Sequence, residues 1–184
     1  YAYDDKTFRL MRMRSERYSQ LQPDRFQPNG EPLQDLAYRY DMVGNILQIL
    51  DRTPGSGIIN NPAAATIDEN RLAQLLASGD ALIRQFDYDP IYRLLSATGR
   101  ECDQAPEAPP WMDQPRCTDI TRARAYTQRY RYDALGNMQE LKHQGAGGGS
   151  NRLFAVVDEN NRLDSMTIGQ SNYRYIHDAN GNTL

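Results

Sequence analysis

One motif recurs five times along this chain: an aromatic residue, any residue, a second aromatic residue and then, in four of the five copies, Asp. The copies are YAYDDKTF, YRYDMVGN, FDYDPIYR, YRYDALGN and YRYIHDANGN, and they start at Tyr1, Tyr38, Phe86, Tyr130 and Tyr173. Their spacing is on the order of 40 residues, which is typical of tandem arrays of one supersecondary unit. The sequence therefore indicates a repeat array.

The motif predicts a strand followed by a turn. Side chains alternate between the two faces of a strand, so Tyr130 and Tyr132 share one face and Arg131 lies on the other. Asp is favoured at the first position of a type I turn, and Gly, three residues later, tolerates positive φ. An apolar strand such as Asn45 to Leu50 then returns. Each copy is predicted to be a β-hairpin, and the fold class is all-β: tandem antiparallel hairpins that form a curved sheet.

The residues assigned to this structural repeat are Tyr1, Tyr3, Asp4, Tyr38, Tyr40, Asp41, Gly44, Asn45, Phe86, Tyr88, Asp89, Tyr130, Tyr132, Asp133, Gly136, Asn137, Tyr173, Tyr175, Asp178, Gly181 and Asn182. Three copies depart from the pattern. Tyr92 occupies a Gly position, where positive φ is costly for a bulky residue, so a different turn is expected there. The first copy lacks both Gly and Asn. The last copy has two extra residues, Ile176 and His177, before its Asp, which indicates a bulge or a register change.

The segments between the copies differ in kind, within one repeat region over 1–184. A capping-box pattern, Thr66 to Glu69, predicts a short helix near 67–78, with a strand ending in a turn as the alternative. The Pro-rich segment 101–118 is predicted to be an irregular loop, and the Gly-rich segment 145–150 to be flexible. Two echoes, DENRL at Asp68 and DENNRL at Asp158, suggest a half-period of about 20 residues.

Composition limits the classes of partner. The net charge is −3, with 24 acidic and 21 basic residues along the chain, so neither nucleic acid nor an anionic membrane is an expected partner. No apolar run approaches the roughly 18 residues that a membrane helix needs. The chain begins at Tyr1 rather than Met, and we expect it to be an internal section of a longer protein.

Two cysteines, Cys102 and Cys117, flank the Pro-rich segment. They are too few for a disulfide framework or a zinc site. A bond between them would close a loop of roughly 15 residues, worth about 3 kcal/mol in the chain-entropy model. Two unpaired thiols are the alternative, so the cysteines do not indicate whether the protein acts in an oxidising or a reducing compartment.

Patterns that could carry chemistry have simpler structural explanations. The histidines, His143 and His177, lie in unlike contexts, and no nucleophile elbow, HExxH or paired-Cys spacing is present. GAGGGS lacks the Lys of a phosphate loop, and the Gly of the Asp178 segment comes too early for a calcium-binding loop. We therefore expect no catalytic, cofactor or metal site in this stretch.

Two surface features have two interpretations each. The paired tyrosines are expected to form the packing ladder of a sheet, although aromatic faces also suit carbohydrate stacking. The arginines between Phe8 and Arg17 are expected to lie along a solvated strand, with a patch for an acidic partner as the alternative.

The tandem Tyr-x-Tyr-Asp-x-x-Gly-Asn motif resembles the YD repeat of the Rhs family, which includes bacterial Rhs toxins, the B and C components of insecticidal toxin complexes and the animal teneurins. Four stretches are similar to the bacterial toxin-complex branch: FDYDPIYRLLSATGRECD, PPWMDQPRCTD, RAYTQRYRYDALGNM and NNRLDSMTIG. The resemblance covers essentially the whole chain.

This resemblance implies a ribbon of stacked hairpins that forms a hollow shell around a C-terminal toxic domain. The chain would be a non-catalytic section of that shell, and its partners would be the rest of the shell, the enclosed domain and other toxin-complex components. The resemblance also implies delivery outside the bacterium. Nothing before Leu184 resembles the self-cleaving core of the family. A YD-repeat module that binds a carbohydrate or a protein is the alternative function. The isolated section, with open strand edges, is expected to be marginally stable or to self-associate.

Overall fold

The computed structural model describes residues 1–58, 62–77, 83–102, 123–145 and 148–184. These residues form strands, one 3-10 helix and one α-helix. The strands are β1 (Ala2–Tyr3), β2 (Leu10–Ser15), β3 (Tyr18–Gln22), β4 (Arg25–Pro28), β5 (Gln34–Tyr40), β6 (Ile46–Asp51), β7 (Ile83–Tyr88), β8 (Leu94–Cys102), β9 (Ala123–Tyr132), β10 (Met138–Gly145), β11 (Gly148–Val156), β12 (Leu163–Ile168) and β13 (Ser171–Arg174). The 3-10 helix spans Pro62–Thr66, and α1 spans Glu69–Ala77. The all-β prediction with one short helix near 67–78 is confirmed.

The chain divides into two compact units. The first comprises residues 1–86 and 98–125, and the second comprises residues 87–97 and 126–184. Hydrogen-bonded strand neighbours follow the order β1-β2-β5-β6-β7 in the first unit and β9-β10-β11-β12-β13 in the second, while β7, β8 and β9 carry residues of both. A single repeat region over 1–184 stays a prediction.

Each motif copy that ends in a tight turn pairs its strand with the next strand. In the first unit, β5 pairs antiparallel with β6, with Tyr38 opposite Ile49. In the second, β9 pairs antiparallel with β10, with Tyr130 opposite Leu141. Both ladders have an irregularity beside the turn. Such bulges increase the local twist of a ladder, so the two hairpins share the same departure from a flat ribbon.

One hairpin was not predicted from the motif. Strands β3 and β4 form a two-stranded sheet of their own between β2 and β5, with Tyr18 opposite Pro28. Its turn carries Asp24 at a φ of +64°. The aromatic-x-aromatic-Asp pattern is absent here, so the search for motif copies could not find it.

Burial is sparse in the part of the chain that the structure describes. Its buried hydrophobic residues are Ile58, Leu75 and Ala97. Ile58 and Leu75 form a small core, against which Ala64, Ile67, Leu72 and Leu76 pack. This core fixes α1, whereas the strands keep most of their side chains only half-buried. Cross-strand pairs therefore contribute more to the sheet than a thick core does.

The helix begins two residues later than the capping-box pattern predicted. The backbone N–H groups of Asn70 and Arg71 donate to Oδ1 of Asp68, at 3.0 and 3.2 Å. Asp68 is thus the N-cap, and Thr66 ends the preceding 3-10 helix. The correction follows from the side chain: Asp accepts these N–H groups as readily as Thr does.

The two echoes do not share a structure, so the predicted half-period is wrong. DENRL leads into α1, whereas DENNRL forms the turn between β11 and β12, in which the N–H of Val157 donates to the carbonyl of Arg162 at 2.8 Å. The inserted Asn explains the difference, because Asn161 takes a φ of +58° that a helix cannot contain.

Two predicted loops are shorter than expected. Strand β8 continues to Cys102, so residues 101 and 102 do not belong to the irregular loop, and residues 103–118 lie outside the described residues. Strands β10 and β11 extend into the Gly-rich segment, where Gly145 pairs with Gly148. Residue 145 and residues 148–150 thus belong to strands, and residues 146 and 147 lie outside the described residues. The side chain of Cys102 and all of Cys117 lie outside the described residues.

The small core yields a prediction for α1. Replacing Leu75 with Ala should reduce the free energy of unfolding of the helical segment by about 2–4 kcal/mol, because a nearly inaccessible side chain is removed and a cavity is left. Urea unfolding monitored by circular dichroism would measure the loss. The exposed Gln74→Ala variant is the matched control and should change the value by less than about 0.5 kcal/mol. Equal effects of the two variants would show that Leu75 is not part of a core.

Candidate functional site

The residues singled out by the sequence converge on one local structure, a turn built around Asp. At Asp133, the backbone N–H donates to the carbonyl of Asn137 at 3.0 Å, and the N–H of Gly136 donates to the Asp133 carbonyl at 3.2 Å. The turns at Asp41 and Asp178 have the same closing bond, at 3.0 Å in each. Gly44, Gly136 and Gly181 have φ values of +113°, +96° and +89°. Glycine is favoured at this position because it has no Cβ.

The Asp carboxylate holds each turn together. Oδ1 of Asp41 accepts the backbone N–H groups of Val43, Gly44 and Asn45 at 3.0, 2.7 and 2.8 Å, and Oδ2 accepts the side-chain amide of Asn45 at 2.7 Å. Oδ1 and Oδ2 of Asp133 accept the backbone and side-chain N–H groups of Asn137, both at 2.8 Å. Asp and Asn are therefore one interlocked pair, which a type I turn preference alone does not specify.

These hydrogen bonds favour the ionised carboxylate. The side chain of Asn137 lowers the pKa of Asp133, and that of Asn182 lowers the pKa of Asp178, because each donates to its carboxylate. At Asp41, desolvation acts to raise the pKa, yet the donors from Asn45, Gly44 and Val43 together lower it. The turn acids are thus held charged by their own loops.

The turn at Asp89 corrects one expectation. Tyr92 has a φ of +68°, and its N–H donates to the Asp89 carbonyl at 2.9 Å. The N–H of Asp89 donates to the carbonyl of Arg93 at 2.9 Å, and Nε of Arg93 donates to Oδ2 of Asp89 at 2.6 Å. The turn therefore has the same conformation as the Gly-containing ones. Tyr92 adopts the strained φ, and Arg93 donates to the second carboxylate oxygen as Asn does in the other turns.

The first and last copies also keep the turn. At Asp4 the loop is one residue longer, with Phe8 at a φ of +56° and the Asp4 N–H donating to the Arg9 carbonyl at 2.9 Å. In the last copy, the residue before Asp178 is His177, which bridges Thr183. His177 therefore stands where the other turns have their second tyrosine. The two extra residues, Ile176 and His177, leave the turn itself unchanged.

The turns are linked by an arrangement that we call the arginine clasp: an arginine after one turn binds the backbone and the aromatic ring of the next. In the first unit, Arg9 donates to the carbonyls of Asp41 and Met42 at 2.6 and 2.7 Å, and its guanidinium carbon lies 5.8 Å from the centroid of the Tyr40 ring. The Tyr40 hydroxyl donates back to the carbonyl of Leu10 at 2.7 Å.

The second unit repeats the clasp. Arg93 donates to the Asp133 carbonyl at 2.9 Å, and its guanidinium carbon lies 5.0 Å from the centroid of the Tyr132 ring. The Tyr132 hydroxyl donates to the Leu94 carbonyl at 3.0 Å. Arg162 donates to the Asp178 carbonyl at 3.2 Å in the same way. Each guanidinium thus combines hydrogen bonding with, in two cases, a cation–π contact.

The tyrosines Tyr38 and Tyr40, and likewise Tyr130 and Tyr132, share one face and are half-buried. The Tyr38 and Tyr40 rings stack with centroids 6.5 Å apart and both are half-buried, whereas Arg39 between them is exposed. Arg131 is likewise exposed between Tyr130 and Tyr132. Desolvation raises the pKa of Tyr40, Tyr130 and Tyr132. Their rings therefore lie within the packing of the sheet. Tyr1, Tyr3 and Tyr173 are exposed.

One further charged pair was missed by the sequence analysis. Asp35, buried on β5, accepts Nε and Nη2 of Arg12 at 2.7 and 2.6 Å. The Arg12 side chain lowers the pKa of Asp35 chiefly through these bonds. No motif joins the two residues, and only the pairing of β2 with β5 brings them together.

The described residues contain no group of three His, Cys, Asp or Glu side chains that could hold a metal ion. His143 contacts the Tyr126 ring at 4.9 Å between centroids, and its Nδ1 lies 3.5 Å from Nε2 of Gln128. No helix in the described part of the chain is long and apolar enough to cross a membrane. The Tyr, Asp, Gly, Asn and Arg residues of the turns therefore form the candidate functional site.

Comparison with known proteins identifies similar chains. The toxin subunits YenC2 and YenC1 of Yersinia entomophaga are 27% and 28% identical over 98% of this chain. The crystal structures of TcdB2-TccC3 and TcdB2-TccC3-Cdc42 match 100% of the chain with a TM-score of 0.62, at 19% and 20% identity. The predicted resemblance to the toxin-complex branch of the YD-repeat family is confirmed.

The chain matches only a small part of each of these proteins. The chain spans 17% of the length of the YenC1 and YenC2 subunits, and 9% and 8% of the chains in the two crystal structures. No protein-family model matches it. The structural match shows the fold, an antiparallel sheet like the part of the TcdB2-TccC3 chain that it covers.

The turn geometry predicts opposite effects of substitution at equivalent positions. Gly136→Ala should reduce the free energy of unfolding by about 1–2 kcal/mol, because the added Cβ meets open space and only the positive φ is penalised. Tyr92→Gly should raise it by up to about 1 kcal/mol, because strain at the same φ is relieved. Chemical denaturation would measure both. A stabilising Gly136→Ala would contradict the shared turn conformation.

The carboxylates predict a dependence of stability on pH. The pKa of Asp133 in the folded chain is below the ordinary value of about 3.9 that applies after unfolding. The resulting stability is present above that value and is lost as pH falls through it towards the lower folded pKa. The midpoint of urea unfolding should therefore decrease between about pH 5 and pH 2.5.

The Asp133→Asn variant should have a flatter acid dependence, because its side chain cannot ionise. Asp5→Asn removes an exposed carboxylate next to Asp4 and serves as the control. If Asp133→Asn retained the full acid dependence, the turn carboxylate would not be its source.

Proposed function

We propose that this chain is a non-catalytic structural segment of an Rhs-type toxin shell, which encloses a C-terminal toxic domain until delivery. The observation that carries the proposal is the series of Asp-centred turns joined by arginine clasps, in a chain whose sequence resembles toxin subunits over nearly all its length. Such a series builds an extended sheet one hairpin at a time.

The chemistry of the clasps supports a structural role. The Tyr40 and Tyr132 hydroxyls are bound to the carbonyls of Leu10 and Leu94, and the two rings lie beside Arg9 and Arg93. These polar groups are committed to neighbouring hairpins. The repeat residues therefore stabilise the contacts between neighbouring hairpins of the sheet, as a wall requires.

The composition fits a wall that is one sheet thick. The mean hydropathy is −0.77, and among the described strand residues few are fully buried. A sheet with solvent access on both faces needs alternating polar and aromatic side chains rather than an apolar core. Directional contacts, such as hydrogen bonds and ring–guanidinium pairs, then supply stability that a core would give elsewhere.

The partners and the place of action follow from the proposal. The rest of the shell would continue the sheet through strand pairing, and the toxic domain would lie enclosed by it. Other toxin-complex components would take up the loaded shell, and delivery would occur outside the bacterium. YenC1 and YenC2 are named toxin subunits, which supports this context.

Limited proteolysis of the complete protein that carries these residues tests enclosure. A protease should leave the toxic domain intact in the parent shell. Tyr132→Ala removes both the ring that Arg93 contacts and the hydroxyl bound to Leu94, so it should expose the domain to cleavage at least several-fold faster. The exposed Arg129→Ala variant is the control and should protect the domain as the parent does.

Two outcomes would contradict the shell role. One is cleavage of the toxic domain at equal rates in the parent and in Tyr132→Ala. The other is saturable binding to an immobilised glycan that is abolished by Tyr38→Ala and Tyr132→Ala. That second result would favour a carbohydrate-binding module, for which stacked tyrosines are suited.

A further inference from the structure

Six turns alternate in type along the chain: the five Asp-centred turns of the motif copies and the turn between β11 and β12. Each contains a residue with positive φ, followed by either Arg or Asn; a further pair of this kind, Asp24-Arg25, lies in the separate β3–β4 hairpin and is not part of the series. In chain order these pairs are Phe8-Arg9, Gly44-Asn45, Tyr92-Arg93, Gly136-Asn137, Asn161-Arg162 and Gly181-Asn182. Arginine always follows a non-glycine residue, and asparagine always follows glycine. We call the two types donor turns and receiver turns.

In the turn at Asp89, the donor residue makes two kinds of contact at once. Nε of Arg93 closes its own turn on Oδ2 of Asp89 at 2.6 Å, while Nη1 reaches the carbonyl of Asp133 at 2.9 Å. Asn137 closes its own turn with Nδ2, but its side chain is too short to lie over the ring of a neighbouring hairpin. Only an arginine can combine the two contacts, because its guanidinium has donors on separate nitrogens.

In two of the receiver turns the glycine lies against that guanidinium, whereas a Cβ at Gly136 would meet nothing within 4 Å. A Cβ at Gly44 would lie 3.5 Å from Nη2 of Arg9, and a Cβ at Gly181 would lie 3.4 Å from Nη2 of Arg162. A larger side chain at either position would displace the arginine. Phe8 and Tyr92 occur in donor turns instead, and both side chains are largely exposed.

We propose that the arginines of the donor turns are positioning residues that select a receiver turn as the neighbouring hairpin, so that the assembly unit of the sheet is a pair of hairpins. Three such pairs carry the contact: Arg9 with Asp41, Arg93 with Asp133, and Arg162 with Asp178. A hairpin displaced by one place would set a donor against a donor or a receiver against a receiver, and the contact would be lost.

Contacts between pairs are of a different kind. Nδ2 of Asn137, in a receiver turn, donates to Oδ1 of Asn161 in the donor turn that follows it, at 2.5 Å. This contact has no charge and no aromatic ring, so it discriminates less between neighbours than a guanidinium does. The stronger contact within pairs and the weaker one between them set the order of the hairpins. The inference stands whether or not the sheet encloses a toxic domain.

Arg93→Asn is the decisive variant, because Asn can still close the Asp89 turn as Asn137 closes its own. Hydrogen exchange in the complete protein should accelerate about five- to tenfold at the amides of Asp133, Gly136 and Asn137, the size expected for one lost hydrogen bond. The amides of Tyr92 and Arg93 should keep the parent rate. The exposed Arg129→Asn variant is the matched control and should change neither set.

A reversed variant, Arg93→Asn with Asn137→Arg, separates position from composition. It keeps one Arg and one Asn and allows both turns to close, yet the arginine is on the wrong hairpin. The amides of residues 133–137 should stay as fast as in Arg93→Asn. Recovery of the parent rates, or equal opening of both turns in Arg93→Asn, would overturn the proposal.

If Arg93→Asn fails to fold, Tyr132→Leu tests the attachment of the same guanidinium, because it removes the aromatic ring beside which Arg93 lies and keeps an apolar side chain there. It should accelerate exchange at the 133–137 amides by about two- to fivefold while the Tyr92 amide is unchanged. Unchanged exchange in both regions would overturn the proposal.

Discussion

The structure depends on an aspartate carboxylate that accepts hydrogen bonds from the residues of the turn that follows it. In the turns at Asp41, Asp89, Asp133 and Asp178, the aspartate accepts backbone N–H groups that follow it, and the next Asn or Arg donates to its second oxygen. At Asp4, the backbone N–H and the hydroxyl of Thr7 donate to Oδ1 instead. Charge-assisted hydrogen bonds of this kind are about twice as strong as neutral ones. They fix each hairpin end without a hydrophobic core, and a thin sheet has little core to offer.

The arginine clasp extends this local order from one hairpin to the next. The guanidinium joins a turn to the carbonyl and ring of its neighbour, and the tyrosine hydroxyl returns a hydrogen bond to the strand beside the arginine. The aromatic-x-aromatic-Asp motif therefore encodes both a hairpin and an attachment point. A sheet assembled from such units is held together by contacts to backbone carbonyls, which every sequence provides.

The fold was largely accessible from the sequence, because strand alternation and turn chemistry act over a few residues. The hairpins at Tyr38 and Tyr130 and the short helix follow from such local patterns. Contacts across strands could not be predicted in this way: Arg12 with Asp35, and Arg93 with Asp133, are separated by 23 and 40 residues. Tyr92 failed as a local prediction because the bonds of Asp89 and Arg93 hold it at a φ that it would not choose alone.

The β3–β4 hairpin and α1 both lie in connections between successive motif hairpins, and not in the Asp-centred turns. The Asp-centred turns join β1 to β2, β5 to β6, β7 to β8 and β9 to β10, and they remain short. The additional hairpin β3–β4 and the helix α1 instead occupy the links from β2 to β5 and from β6 to β7. Foreign peptides or reporter domains grafted into those two links should leave hairpin order intact, which makes them natural sites for engineering this sheet.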